Sequence, residues 1–499
     1  MKNDLTRSTT HGVMWVSVSQ LVMTGTQFVV TAVLARLLVP EEFGIVAAVT
    51  IFTGLIVLVN ELGLGAAIIQ RKELNESHLS TTFWASLAAG ISFWLLATIA
   101  SPFVAAFYHE DLVRPVLIVS SAAFVVGTFG VVHRSLLARN LDFKKLAVSE
   151  VVGGVVYGLV SVSLAIAHFG VWSLVWGGLS ASFASVVILW WIERWQPRIR
   201  FSLRSFRELF VFGGYVTAAR SINYARQNVD YLIVGRLLGR SHLGVYSLAF
   251  RLIMFPMMRL STLVTRVTFP AFSRIQDENE RLRRGYLKLA TYTSVLTFPM
   301  LAGLLAVAPE FVVVVFGEKW NAAITPIQIL CVYGMMMSVG TLVGPIIRAK
   351  GRADIELKWN VAQLAMLTTS VLIGVHYELA GVAVAVTLNA AVTIPIIQWI
   401  VGSLIGLRLR DYLRSLYPAT FGSAVMLACV AGYRQLALDL LHLNNLPLLV
   451  SSVVLGVIAY LLAMRMIKPE LLLELKELAV MAMKPHPTAD VVATNSKRG

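Results

Sequence analysis

Three arginines lie in one long apolar segment, where a charged side chain is costly. Arg251, Arg259 and Arg266 are eight and seven residues apart, which places them within about 80° of one another around an α-helix. Arg220 and Arg226 lie in the preceding apolar segment. Each charge costs about 2.5–3.5 kcal/mol near the centre of a bilayer, so five that faced lipid would cost more than about 10 kcal/mol. We therefore expect these five side chains to line a wet cationic cavity that binds an anionic substrate.

Two other interpretations of these arginines stay open. The long side chains of Arg251 and Arg266 can reach a membrane surface while their helix positions lie inside it. Arg226 stands four residues before Asp230, so these two side chains can form an ion pair on one helix face. Arg259 and Arg220, which lie near the middle of their segments, are the hardest to explain in either way.

Polar residues follow one face of the first apolar segment and recur 200 residues later. A spacing of three and four residues keeps them on one side of a helix. The first set is Ser17, Gln20, Thr24, Gln27 and Thr31, and the second is Thr217, Arg220, Tyr224, Gln227 and Tyr231, joined by Asn223 and Asp230. We expect both faces to line a shared central cavity, with polar contacts between packed helices as the alternative.

Two acids inside apolar segments are candidates for coupling to an ion gradient. In the first half of the chain we assign one intramembrane acid, Glu61, beside Asn60, and in the second half Asp230. A carboxylate inside a membrane is a functional candidate by default, either for a cation or proton or as the partner of an arginine.

The composition predicts a polytopic membrane protein with an all-α fold. Of 499 residues, 57% are hydrophobic and 14% are charged, against about 25% charged in soluble domains. Apolar runs long enough to cross a bilayer recur along the whole chain. We place fourteen transmembrane spans at 11–36, 43–70, 80–107, 115–137, 146–167, 170–192, 208–235, 242–272, 286–308, 323–347, 357–376, 379–405, 415–437 and 446–466.

The distribution of basic residues predicts the orientation of these spans. With the N-terminus inside, and with residues within about three positions of a span end counted on the adjacent side, 31 of the 42 Lys and Arg are cytoplasmic, six are outside and five lie within spans. By the positive-inside rule both termini are cytoplasmic. The net charge of +15 is therefore explained by topology and by anionic lipid, and we expect no nucleic-acid partner.

The sequence repeats itself, which predicts two lobes. Residues 35–45 resemble residues 235–245 at an offset of 200, residues 103–110 resemble 311–318 at 208, and 168–171 resemble 379–382 at 211. Spans 1–6 and 7–12 are then two copies of one six-helix unit in parallel orientation, and transporters of this build hold substrate between the copies. We expect an N-lobe at 1–195, a C-lobe at 196–406, two extra helices at 407–468 and a cytoplasmic tail at 469–499.

Sequence signals of catalysis or of a bound metal are missing. There is no Walker loop, no G-x-S-x-G, no H-E-x-x-H and no cluster of the nine histidines. Cys331 and Cys429 both lie in apolar runs and have neither metal nor disulfide spacing. We expect no enzyme activity, no cofactor and no metal.

Six stretches resemble the MOP flippase superfamily, in particular its Wzx-type polysaccharide exporters and among them the colanic-acid exporters. They are ARLLVPEEFG at 35–44, AIIQRKELNESHLSTTFW at 67–84, LDFKKLAVSE within 134–150, NVDYLIVGRLLG at 228–239, FPAFSRIQDENERLRRGY at 269–286 and FGEKWNAAITPIQIL at 316–330. The resemblance implies a V-shaped two-lobe fold with a cationic central cavity. It also implies a flippase in the inner membrane of a bacterium that moves an undecaprenyl-pyrophosphate-linked oligosaccharide repeat. The resemblance further implies that it works beside a polymerase and export machinery and is driven by an ion or proton gradient.

Three other functions stay open at this point. A lipid II flippase moves a similar lipid pyrophosphate and is separated only by substrate tests. A cation-coupled drug antiporter of the same superfamily is disfavoured, because a cavity for cationic drugs should be acidic. A membrane-embedded polymerase or ligase would need a large outer loop with catalytic residues, and the predicted outer loops are mostly short.

The predicted topology can be tested with reporter tags. Tags after residue 499 or within 194–207 should report a cytoplasmic location, and tags within 316–322 a periplasmic one, because the basic residues cluster on one side. A periplasmic C-terminus would rule out the model of fourteen spans.

Overall fold

The fold was analysed in a computed structural model, and its described part contains helices and no strands. The structure describes residues 23, 25–60, 65, 68–69, 74–199, 202, 223–441, 443–471 and 473–474, with the backbone only for 55–60, 256–271, 353 and 440–441. The predicted all-α fold is confirmed.

The described residues form sixteen α-helices. In chain order, α1 to α16 are Gly25–Leu37, Pro40–Asn60, Glu76–Tyr108, Val113–Thr128, Val131–Arg139, Phe143–Ile166, Val171–Ile192, 223–237, Gly239–Arg274, Asn279–Val315, Ile324–Gly340, Val343–Ala349, Ala353–Gly374, Glu378–Ile405, Leu409–Leu441 and Asn445–Ile467.

Each of the fourteen predicted spans overlaps a helix. Among the described residues, eight helices are long and apolar enough to cross a membrane, or nine if α4 and α5 count as one span bent by 47°. Their outer surface is apolar, as at Phe103, Leu159 and Trp399, whose exposed fractions are 74%, 65% and 69%. Apolar surface on this scale suits lipid and is rare on soluble proteins. The helices are consistent with fourteen spans, and the chain is a multi-pass membrane protein.

The predicted repeat is visible in the backbone. Helices α3 and α10 are each followed by a residue with positive φ, His109 (55°) and Gly317 (95°). Helices α5 and α12 are likewise followed by Leu141 (59°) and Gly351 (70°). These matches have offsets of 208 and 210, close to the offsets found in the sequence. The break between α4 and α5 has its counterpart between α11 and α12. We call α1–α7 the N-lobe and α8–α14 the C-lobe.

The last two helices are attached to the C-lobe. Both α15 and α16 pack against α10. The Nε atom of Arg434 in α15 lies 2.6 Å from the Oε1 atom of Glu310 in α10, whose side chain is only 5% exposed. The Tyr460 hydroxyl in α16 donates to the Val295 carbonyl at 2.8 Å. A nearly buried carboxylate needs such a cation, since an unpaired buried charge is strongly destabilising.

Candidate functional site: the cavity between the lobes

The two lobes meet where α2 of the N-lobe crosses α9 of the C-lobe, and glycines permit the close approach. A Cβ atom on Gly44 would lie 1.8 Å from the carbonyl oxygen of Arg240, and one on Gly244 would lie 1.8 Å from that of Pro40. Both pairs differ by 200 in residue number, so the crossing is symmetric with respect to the repeat. The helix backbones are therefore in direct contact, and we call this end of the molecule the closed end.

Buried aromatic and charged contacts reinforce the closed end. The fully buried Trp320 of the C-lobe donates its indole N–H to the Ala35 carbonyl of the N-lobe at 2.7 Å. Its ring meets that of Phe43 edge to face, with ring centroids 5.2 Å apart. An ion pair joins Arg240 Nη1 to Glu110 Oε2 at 2.8 Å, again between lobes.

Two repeat-equivalent arginines also bridge the lobes here. The Nε of Arg36 at the end of α1 donates to the Val315 carbonyl of the C-lobe at 3.0 Å. Arg236, its equivalent 200 residues later, donates to the imidazole of His109 in the N-lobe. Each lobe thus uses the end of its first helix to hold the end of the other lobe's third span.

The contact between lobes continues to about the middle of the helices. The Tyr224 hydroxyl of α8 donates to the Ile51 carbonyl of α2 at 2.8 Å, and its ring lies against Gly54. Tyr224 is thirteen residues from the end of α8 at 237, which corresponds to about 20 Å at 1.5 Å per residue.

A cavity of about 670 Å³ lies between the N-lobe and α9. Its described lining comes from α1, the bend between α4 and α5, α6, α7 and α9, with Met23 just before α1 and Phe316 just after α10. The residues are Met23, Gln27, Phe28, Thr31, Gly127, Gly130, Arg134, Glu150, Gly153, Gly154, Tyr157, Ala181, Ser182, Ser185, Val186, Leu189, Leu248, Arg251, Leu252, Phe255 and Phe316. The wall thus combines apolar surface with hydroxyls, one amide and three charged groups, a combination suited to an amphipathic ligand.

The bend between α4 and α5 positions Arg134 in this wall. A break in a helix frees carbonyls that need other donors inside a membrane. Here the indole N–H of Trp190 donates to the Phe129 carbonyl at 2.8 Å. His133, fully buried, stacks on Trp190 with centroids 4.7 Å apart, and its Nε2 lies 3.1 Å from the Trp195 carbonyl. These contacts fix α5, and with it the neighbouring Arg134.

Small residues bring α6 close to α7 and set the position of Glu150. A Cβ on Gly153 would lie 2.2 Å from the Ser185 hydroxyl, and this hydroxyl donates to the Ser149 carbonyl at 3.1 Å. Close packing through glycine and serine is typical of helix pairs in membranes. Glu150 follows Ser149 and is exposed to the cavity.

Two of the predicted site residues with described side chains line this cavity. Arg251 enters from α9 of the C-lobe and Gln27 from α1 of the N-lobe, with Thr31 of the predicted polar face beside it. Arg251 lies twelve residues after the start of α9, about 18 Å along that helix from the closed end.

The described residues of α8 lie elsewhere, which differs from the prediction that they line the cavity. Arg226 donates to Gln363 in α13 at 3.1 Å and to Asn223 at 3.0 Å. Tyr224 joins the lobes as described above, Tyr231 packs against Tyr246 with centroids 5.2 Å apart, and Gln227 is exposed. The reason is rotational: residues on one helix face meet whichever neighbour covers that face, here α2, α9 and α13.

Arg226 and Asp230 do not form the ion pair that their spacing allows. Both side chains are described, and no oxygen of Asp230 lies within 4.0 Å of the Arg226 guanidinium. The buried Asp230 instead accepts a hydrogen bond from the Tyr246 hydroxyl at 2.8 Å, and its Oδ1 has no partner among the described residues.

Other predicted residues lie outside what the structure describes. These are Gln20, Thr24, Glu61 and Arg220, and for Arg259 and Arg266 the structure gives the backbone of α9 only.

Arg134 and Glu150 were missed by the sequence analysis. Arg134 lies three residues inside the predicted span 115–137 and was counted with the cytoplasmic cations, and Glu150 lies only four residues inside the predicted span 146–167. Their exposure to the cavity shows that the first lobe also contributes charge, and that Glu61 is not its single candidate acid. The signal available in the sequence was the presence of two opposite charges near the ends of two adjacent spans.

A model of the polysaccharide biosynthesis protein family matches residues 33–325, which is more than half of the chain. The chain belongs to this family. A relative from Escherichia coli (strain K12), the lipopolysaccharide biosynthesis protein WzxC, is 34% identical over 77% of this chain and 78% of its own. The succinoglycan biosynthesis transport protein ExoT of Rhizobium meliloti (strain 1021) is 28% identical over 79% of this chain and 80% of its own. The predicted relation to Wzx-type proteins is confirmed.

The fold of this family member is similar to that of a solved structure. The lipid II flippase MurJ, in an inward closed conformation, matches with a TM-score of 0.76 over 92% of this chain and 100% of its own. The identity of 12% supports a shared fold and no more. The likeness confirms the predicted helical, two-lobe fold.

The glycine crossing predicts that a single methyl group opens the closed end. Gly44→Ala or Gly244→Ala places a Cβ against a backbone carbonyl, which cannot move aside as a flexible side chain can. We expect the lobes to separate there. Gly178→Ala in α7 is the matched control, because nothing lies within 4 Å of its Cβ position.

The measurement is cross-linking across the closed end. Glu110→Cys and Arg240→Cys, joined by a short thiol reagent after removal of the exposed Cys429, should react readily in the parent protein and in Gly178→Ala. The yield should fall several-fold with either glycine variant. Equal yields in all four proteins would contradict the assignment of this crossing as a tight contact.

Proposed function

We propose that this family member is a flippase that moves an oligosaccharide repeat linked to undecaprenyl pyrophosphate across the inner membrane for polysaccharide biosynthesis. The observation that carries the proposal is the cavity between the lobes, which places Arg251 of one lobe opposite Gln27 and Thr31 of the other. The relatives support it, since one is named a lipopolysaccharide biosynthesis protein and another a succinoglycan biosynthesis transport protein.

The cavity has the chemistry that such a substrate requires. A pyrophosphate cannot enter the apolar core unless other groups replace its hydration, and guanidinium groups do this through charge-assisted, bidentate hydrogen bonds. Arg251 is available for that task, because among the described residues it forms no ion pair. The hydroxyls of Thr31, Tyr157 and Ser182 and the amide of Gln27 suit the hydroxyls of sugars. Arg220, Arg259 and Arg266 are proposed to extend this cationic surface.

Alternating access follows from the placement of the contacts between lobes. The closed end corresponds to the segments predicted to face the periplasm, so this conformation is proposed to receive substrate from the cytoplasm. Rocking of the lobes about the cavity would separate Gly44 from Gly244 and expose the site on the other side. Both termini are proposed to be cytoplasmic, and the polymerase and the export machinery are the proposed partners.

Two alternative substrates, lipid II and cationic drugs, are separated from the proposed one by different criteria. A lipid II flippase would use the same cationic contacts, so only transport assays with both lipids separate it from the proposed function. A pump for cationic drugs is disfavoured by the two arginines in the described lining, which exceed its single acid.

The proposed binding role of Arg251 predicts loss of export. Arg251→Ala removes the guanidinium that faces the substrate, so the lipid-linked repeat should accumulate on the cytoplasmic side and polysaccharide export should fall at least tenfold. Arg251→Lys should keep part of the activity, because the charge remains while the bidentate geometry is lost.

Export in a strain that lacks its own flippase measures this effect, with the amount of protein in the membrane determined in parallel. Arg408→Ala, an exposed basic residue between α14 and α15, is the control and should export normally. Normal export by well-expressed Arg251→Ala would contradict a cationic substrate site at this position.

Asp230 is proposed to couple transport to an ion or proton gradient. Its carboxylate is buried in the C-lobe with one oxygen free of hydrogen bonds among the described residues, so a proton or cation can bind there. Asp230→Asn should abolish gradient-dependent flipping in proteoliposomes and leave folding intact. Tyr246→Phe, which removes only the donated hydrogen bond, should retain most of the activity. Full gradient-dependent activity of Asp230→Asn would exclude this residue, and Glu61 would then be the remaining candidate of the two predicted acids.

A further inference from the structure

Three charged side chains share the cavity without pairing. Arg134, Glu150 and Arg251 all line it, and among the described residues none of the three has an ion-pair partner within 4.0 Å. Charged side chains inside a membrane usually pair with one another. Charges that stay unpaired there are expected to interact with a ligand. The described lining therefore holds two cations from opposite lobes and one acid, and it still lacks a partner for each.

The three charges lie at two levels. Arg134 is five residues before the end of α5 and Glu150 is seven residues after the start of α6, so they lie about 8 and 10 Å from the turn that joins these helices. Arg251 lies twelve residues from the start of α9 at the closed end, or about 18 Å along that helix. Glu150 and Arg134 therefore both lie near the α5–α6 turn, whereas Arg251 lies deeper in the cavity.

We infer that Glu150 is the internal counter-ion of the cavity and competes with the phosphates of the substrate for Arg134 and Arg251. This inference rests on the function proposed above and assigns the phosphate contacts to both lobes. Glu150 does not hold the substrate. It lowers the positive potential of the empty cavity and repels a bound pyrophosphate, which keeps binding weak enough for release.

Electrostatics gives the sign and the approximate size of the effect. A carboxylate that acts on a phosphate through wet protein changes affinity by about fivefold per charge. Transport needs moderate affinity, because a site that still binds its substrate tightly after the lobes have moved releases it slowly. Removal of the acid should therefore raise affinity and slow transport. A residue with a purely structural role would lower both.

The experiment measures binding and flipping separately on the full-length protein. The binding probe is a short-chain prenyl pyrophosphate added to protein in detergent, and flipping is followed with a lipid-linked oligosaccharide in proteoliposomes. The variants are Glu150→Gln, Glu150→Asp, Arg134→Gln and Arg251→Gln. Asp142→Asn is the matched control, because this acid lies in the α5–α6 turn, outside the cavity, and pairs with Lys145 at 3.0 Å.

We expect Glu150→Gln to bind the probe about fivefold more tightly and to flip several-fold more slowly, with Glu150→Asp close to the parent in both. Arg134→Gln should bind about fivefold more weakly, and Asp142→Asn should be unchanged. If the parent binds the probe and Arg251→Gln weakens this binding, but Glu150→Gln binds no more tightly, the counter-ion role is overturned and the proposed function stands. If the parent does not bind prenyl pyrophosphate at all, the proposed function falls, and the inference with it.

Discussion

The crossing of α2 and α9 is the contact on which the rest of the structure depends. Two glycines related by the internal repeat bring the two helix backbones together, so each lobe supplies half of one symmetric contact. Because the crossing joins the lobes at one end, a cavity can exist between them further along the helices. At the two glycines the helices meet through backbone atoms, so no side chains have to interdigitate at these positions when the two surfaces part and meet again as transport requires.

Charge inside the membrane is the second constraint, and the cavity resolves it. Arg251 would be costly against lipid, but it faces a space shared with Glu150, Arg134 and several hydroxyls. The same logic explains Glu310, whose burial at the attachment of α15 is matched by Arg434. One set of charges is paired and holds helices together. The second set, Arg134, Glu150 and Arg251, is left unpaired in the cavity, and a site for an anionic ligand requires such unpaired arginines.

Much of the fold could be predicted because apolar length and repeat offsets are properties of the sequence itself. The same holds for Arg251 and Gln27, whose types and helix positions required a wet surface. The role of Arg226 was harder to predict, because four-residue spacing shows which residues share a face but not that Gln363, 137 residues away, lies against it. Glu150 and Arg134 were missed because near a span end a charge can equally belong to a loop. The 47° bend that turns Arg134 inward depends on indole and imidazole contacts between distant residues.

The most direct test of the account is the distance between the lobes at the closed end during transport. Spin labels at Asp111 and Lys319, exposed residues that are equivalent in the repeat and lie one on each lobe, report this distance in the reconstituted protein. The account predicts a short distance without substrate, and an added population at clearly longer distance when lipid pyrophosphate-linked oligosaccharide and an ion gradient are present. A single short distance under every condition, in protein that flips its substrate, would contradict it.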